Sequence, residues 1–142
     1  MDSMRGHITR TTVVMADTDA AGVVYFSRVF DIAHRCYEEM MAERGLPLQE
    51  VLATGRYALP IVAAGAEIGS PIRLGDRLDV ELEVAEIGYR SYRLTFQLRG
   101  SATPDRVGAS VTTSHVAVDI STGRAMPLPD EVVAALRDTS GS

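Results

Sequence analysis

Two stretches of strict alternation constrain this chain more than anything else in it. Leu78, Val80, Leu82 and Val84 are separated by Asp79, Glu81 and Glu83, while Tyr92, Leu94, Phe96 and Leu98 alternate with Arg93, Thr95, Gln97 and Arg99. Successive side chains on a strand point to opposite faces, so each stretch predicts a strand with one apolar and one polar side. The turn between them falls near residues 88–91, and the acid-bearing face of the first beside the Arg-bearing face of the second suits antiparallel pairing. The alternation slips at Ala85 and Glu86, where one extra residue would form a bulge.

Around that pair the chain supplies one long helix. Over residues 26–44, Phe26, Val29, Phe30, Ala33, Tyr37, Met40 and Met41 follow helical spacing, and Gly45 with Pro47 ends the run. Residues 48–54 read as a short helical piece before Gly55, and the segment opening at Pro129 as another, with Pro and acids in its first turn. Residues 7–15 and 106–120 predict strands, and residues 57–68, interrupted by Pro60, an edge or irregular strand. The order is strand, long helix, then a meander of four strands: an α+β fold in one domain over residues 1–138, with 139–142 a frayed tail. One sheet covering a single helix leaves its other face or its edges open, and a second copy of the chain would cover them.

Composition removes several function classes. The 142 residues are 46% hydrophobic and 23% charged, ordinary for a globular domain, and no apolar run approaches the roughly 18 residues of a membrane span. The net charge of −5 argues against broad attraction to nucleic acid, so any phosphate site must be local. The start of the sequence lacks the apolar core of a secretory signal and Cys36 has no cysteine to pair with, so the expectation is a cytoplasmic protein. There is no GxGxxG, GxxxxGK or GxSxG pattern, and three scattered histidines with one cysteine predict no metal cluster. Cys36 reads as core filler, and His7 and His115 as structural strand residues.

The candidate chemistry lies in DTDAAGVVYF, residues 17–26, where two carboxylates and a glycine turn immediately precede the long helix. A carboxylate can act as general base or nucleophile, and the unpaired N–H groups at a helix start can hold a developing oxyanion. Gly22 permits the sharp turn, and Asp17 reads as a turn former or cap. The stretch resembles the signature loop of the 4-hydroxybenzoyl-CoA thioesterase family of hotdog-fold enzymes, most closely its 1,4-dihydroxy-2-naphthoyl-CoA thioesterase branch. The likeness extends to the PIV segment at Pro60, the paired strands and the closing RAMPLP.

That resemblance implies a hotdog fold, an antiparallel sheet of about five strands wrapped around the long helix, assembled as a homodimer or a dimer-of-dimers tetramer with shared active sites. It implies hydrolysis of an acyl-CoA thioester, most simply an aromatic one, without metal or organic cofactor. Asp19 takes the place of the catalytic acid, as nucleophile or as base for a water, and the Phe26 backbone N–H that of the oxyanion donor. His34, in line with Ser27 on the helix, would face the acyl group, and Arg90 and Arg124 the nucleotide phosphates. One departure stands out: Phe26, followed by SRVF, sits where a related acyl thioesterase branch carries His, which favours the naphthoyl side. The alternatives are a short- or medium-chain aliphatic acyl-CoA or acyl-carrier-protein thioesterase, and an acyl-binding module without catalysis.

Overall fold

The two alternating stretches pair as their periodicity predicts. In the computed structural model, which describes residues 6–138, β4 (Arg77–Ile87) and β5 (Ser91–Gly100) are antiparallel, with Val80 opposite Leu98, Leu82 opposite Phe96 and Val84 opposite Leu94. The register shifts between Val84 and Glu86, leaving Ala85 as the bulged residue. Three more strands join this pair: β1 (His7–Thr12), β3 (Ile61–Ile68) and β6 (Thr103–Val116), giving the order β1-β4-β5-β6-β3.

This order corrects the four-strand meander. Only β4, β5 and β6 run as a meander; β3 pairs antiparallel with β6 and forms one edge of the sheet, while β1 forms the other. The 57–68 stretch is also two strands. Tyr57–Ala58 (β2) pairs with Val118–Asp119 (β7) in a separate ribbon, and Leu59 and Pro60 part it from β3. Proline has no N–H to give a ladder, so the break falls there. The first strand stops at Thr12 because Val13 turns away to exchange backbone hydrogen bonds with Gly75 and Asp76, after which Met15–Asp17 makes one 3-10 turn.

The long helix α1 spans Arg28–Glu43, two residues later than the apolar spacing suggests, because Phe26 and Ser27 form a turn whose entry is closed by the Arg28 N–H donating to the Tyr25 carbonyl at 2.9 Å. It ends at Gly45, whose φ of 87° is a conformation glycine alone adopts cheaply. Its buried face is Val29, Ile32, Ala33, Cys36, Tyr37, Met40 and Met41, packed on Leu78, Val80, Leu82, Leu94, Phe96 and Val111 of the sheet. Two short helices, α2 (Leu48–Thr54) and α3 (Asp130–Arg137), close the ends of this core through Val51 and through Val132 and Leu136. No described helix is long and apolar enough to cross a membrane. The expectation for residues 139–142 lies outside the described residues.

Met40 has no solvent exposure, whereas Arg35 stands on the exposed face of the same helix. Met40→Ala is expected to lower unfolding free energy by about 2–5 kcal/mol and Arg35→Ala to change it by less than about 0.5 kcal/mol, read from urea denaturation midpoints.

Candidate active site

The 17–26 loop is built from short-range hydrogen bonds that give its two acids different tasks. Asp17 is buried, and its Oδ2 accepts the Val14 N–H at 3.2 Å while its carbonyl accepts the Tyr25 N–H at 3.1 Å. It ties the start of the loop to its end. Asp19 is half-buried and folds the loop around one of its two oxygens: Oδ1 accepts the N–H groups of Ala21 at 2.8 Å and Val23 at 3.1 Å. Its Oδ2 accepts no hydrogen bond among the described residues. A carboxylate clamped through one oxygen presents the other in a fixed direction.

Gly22 sits at the bend with φ 77°, its N–H donating to the Asp19 carbonyl at 3.0 Å. Any side chain there would strain the backbone. The returning strand of the loop is strapped to the segment before β4: Val24 donates to the Ile72 carbonyl at 2.8 Å, and Leu74 to the Gly22 carbonyl at 2.9 Å. Beyond it, the N–H groups of Phe26 and Ser27 make no hydrogen bond among the described residues, although both residues are exposed. They precede the first turn of α1, where the helix dipole favours negative charge. The Phe26 ring stands edge-on to Phe30 at 5.6 Å, and Met15 and Tyr25 add further exposed apolar surface beside the loop.

His34 lies two turns along α1 from Ser27, about 10 Å down the axis. It is half-buried, its Nδ1 is 2.9 Å from Glu38 Oε2, and its ring meets Tyr37 edge-on. Together with Tyr37, Leu48, Val51, Leu52, Ala58, Leu59 and Pro60 it lines a pocket of about 230 Å³ between α1, α2 and the β2–β3 link. Beneath this pocket lies a buried polar cluster. The hydroxyls of Tyr37 and Tyr92 hydrogen-bond each other, and the Tyr92 ring stacks on His115 with centroids 4.7 Å apart and planes within 6°.

His115 Nδ1 is 3.4 Å from the Leu59 carbonyl, which can only accept, so the proton is on Nδ1; Nε2 then accepts the Thr113 hydroxyl at 3.0 Å. Burial pushes the His115 imidazole down to about 4 and the Tyr37 phenol up to about 12, so one is neutral and the other protonated at neutral pH. The sequence reading missed this cluster. Its signal was a tyrosine inside each apolar periodic run, since a buried hydroxyl needs a partner, and Thr113 and His115 two apart on one strand face.

The remaining candidates divide. Arg90 and Arg124 are exposed and come to the same end of the sheet, the Arg90 carbonyl accepting from Ala117 at 2.9 Å and the Arg124 carbonyl from Asp119 at 2.8 Å. Arg90 lies over the Tyr89 ring, and neither guanidinium has an ion pair among the described residues. Cys36 is buried and burial raises its thiol to about 11, an unreactive state. The strand histidines are less scattered than the sequence suggests: His7 Nε2 meets Glu39 Oε1 at 2.7 Å, with Glu43 close by. The reading from His and Cys alone left out these helix carboxylates.

Residues 13–136 match the family model described as the thioesterase-like superfamily. The chain is 36% identical over 135 residues to the 1,4-dihydroxy-2-naphthoyl-CoA hydrolase of Nostoc punctiforme, covering 92% of this chain and 89% of that one. It is 35% identical over 132 residues to the enzyme of the same name from Picosynechococcus, covering 91% and 90%. Among solved structures, a 1,4-dihydroxy-2-naphthoyl-CoA thioesterase from Synechocystis superposes with a TM-score of 0.90 at 28% identity, over 97% of this chain and all of that one, 100%. The fold is the hotdog fold that the loop resemblance implied.

The neutral state of His115 has a consequence for stability. Its folded-state value of about 4 lies below the ordinary imidazole value of 6.5, so the unfolded chain binds the proton first, and this contribution is complete above pH 6.5 and lost as pH falls toward 4. Wild type is expected to lose melting temperature across that window more steeply than His115→Phe, measured by thermal melts at matched ionic strength. Parallel curves would show that His115 is not buried neutral.

Proposed function

The chain belongs to the thioesterase-like superfamily, and from that membership we propose that it hydrolyses an acyl-CoA thioester with an aromatic acyl group of the hydroxybenzoyl or dihydroxynaphthoyl kind. The observation that carries the proposal is the Asp19 carboxylate, with one oxygen clamped by two backbone N–H groups and the other unengaged, on the loop that leads into α1. A thioester carbonyl needs an attacking oxygen on one side and hydrogen-bond donors to its own oxygen on the other, and this loop can supply both.

In the proposed reaction the thioester oxygen receives the Phe26 N–H as negative charge develops on it. Asp19 either attacks the carbonyl carbon, expelling CoA thiolate and leaving a mixed anhydride that water cleaves, or takes the proton of a water that attacks directly. Both routes end in the free acid and CoA, with one water consumed and no metal or organic cofactor required. Ser27 and His34 border the acyl group, and Arg90 and Arg124 hold the nucleotide phosphates of CoA. The relatives' names support the aromatic choice.

The site is shared in a homodimer, alone or paired into a tetramer. β3 has an unpaired edge and exposes Ile61, Val62 and Ile68, with Ala63, Ala64 and Gly65 small enough for a second backbone to approach. Antiparallel pairing of this edge with its own copy is self-complementary, as a two-fold axis requires. The single buried Cys36 suits a reducing, cytoplasmic setting.

Asp19→Asn is expected to lower kcat by about 10²–10⁴-fold with little change in melting temperature. Asp17→Asn should instead lower the melting temperature, because it weakens a buried acceptor, and retain most of the turnover of the folded fraction. Thiol release from a panel of aromatic and aliphatic acyl-CoAs measures both variants; equal activity of wild type and Asp19→Asn would sink the mechanism. Sedimentation velocity at micromolar concentration is expected to give a dimer or tetramer, and a fully active monomer would contradict the shared site.

A further inference from the structure

Counting protons in the buried cluster leaves one over. Tyr37 and Tyr92 each carry one O–H, and their mutual hydrogen bond uses only one of the two protons. Neither hydroxyl has another partner among the described residues. The nearest ring that could accept is closed: both nitrogens of His115 are engaged, Nδ1 at the Leu59 carbonyl and Nε2 at the Thr113 hydroxyl. The surplus donor therefore sits in an almost fully buried environment, each tyrosine being 2% exposed.

An unanswered buried donor is costly unless something arrives to accept it. Of the two tyrosines, Tyr37 is the one that lines the 230 Å³ pocket, alongside His34 one turn earlier on α1. We propose that Tyr92 donates to Tyr37 and that the Tyr37 O–H donates in turn to an oxygen carried on the aromatic ring of the acyl group, making Tyr37 a specificity-determining residue and Tyr92 its positioning residue. This rests on the reading of the chain as an aromatic acyl-CoA thioesterase. The other pocket walls, Leu48, Val51, Leu52, Leu59 and Pro60, are apolar and fit the ring itself. Burial holds both phenols above their ordinary range, so the donor keeps its proton throughout the neutral range.

The test compares kcat/KM for 1-hydroxy-2-naphthoyl-CoA and unsubstituted 2-naphthoyl-CoA in wild type, Tyr37→Phe and Tyr92→Phe. Wild type is expected to favour the hydroxylated ring. Tyr37→Phe should lose about 10- to 100-fold on that substrate and under about threefold on the unsubstituted one, since a site built to pair with an oxygen discriminates only against rings that use it. Tyr92→Phe should shrink the same ratio by several-fold while turnover of the unsubstituted ring is retained, an effect that a purely structural tyrosine would not produce. Should Tyr37→Phe fail to fold, the ratio in Tyr92→Phe decides. A ratio unchanged in the folded variants, as when a buried water takes the proton, or a wild type indifferent to the hydroxyl, overturns the inference and leaves the aromatic thioesterase reading standing. A wild type that hydrolyses only aliphatic acyl-CoAs overturns both.

Discussion

Burial of one face of α1 against the sheet sets the geometry of everything functional in this molecule. Seven side chains from Val29 to Met41 leave water on that face, and each fully buried large one contributes about 1.5–3 kcal/mol. Because they recur at helical spacing, the rotation of the helix about its own axis is fixed along with its position. That rotation turns His34 and Tyr37 toward α2 and the β2–β3 link. A helix free to roll would leave the pocket without a wall.

The loop depends on that anchoring at its far end and on the sheet at its near end. Val13 is joined to Gly75 and Asp76, Val24 to Ile72, and Gly22 to Leu74, so the segment ahead of β4 acts as a splint along the loop. Within it, two acids of the same type divide the work by environment alone. Asp17 spends its carboxylate on a backbone N–H in the interior, while Asp19 spends half of its own on the turn and retains the other half. Chemistry and architecture thus draw on neighbouring residues without competing for the same atoms.

The core is not purely apolar beneath the pocket, and the polar groups there are arranged with few options. His115 is held neutral in one tautomer by the Leu59 carbonyl and the Thr113 hydroxyl, and its stacked ring fixes that of Tyr92. Tyr92 in turn fixes Tyr37. Buried polar networks are stabilising when every member is satisfied, and the Tyr37–Tyr92 pair, which has one proton more than its mutual hydrogen bond uses, borders the pocket through Tyr37.

Local periodicity determined much of this from the sequence alone: the paired strands and their bulge at Ala85, the long helix, the α+β class and the glycine turn of the Asp19 loop all follow from spacing between near neighbours in the chain. The hotdog fold was legible through the resemblance of residues 17–26, and Gly22 took its turn for the reason its lack of a side chain suggests. Tertiary structure alone decided the edge position of β3, the break at Pro60, the two-residue delay in the start of α1, the meeting of His7 with Glu39 and Glu43, and the union of Tyr37, Tyr92, Thr113 and His115 under one pocket. Those outcomes depend on which distant segments share space. A tyrosine in an apolar run has the same local pattern whether its hydroxyl finds a carbonyl, a second tyrosine or a ligand, and only the packed chain distinguishes them.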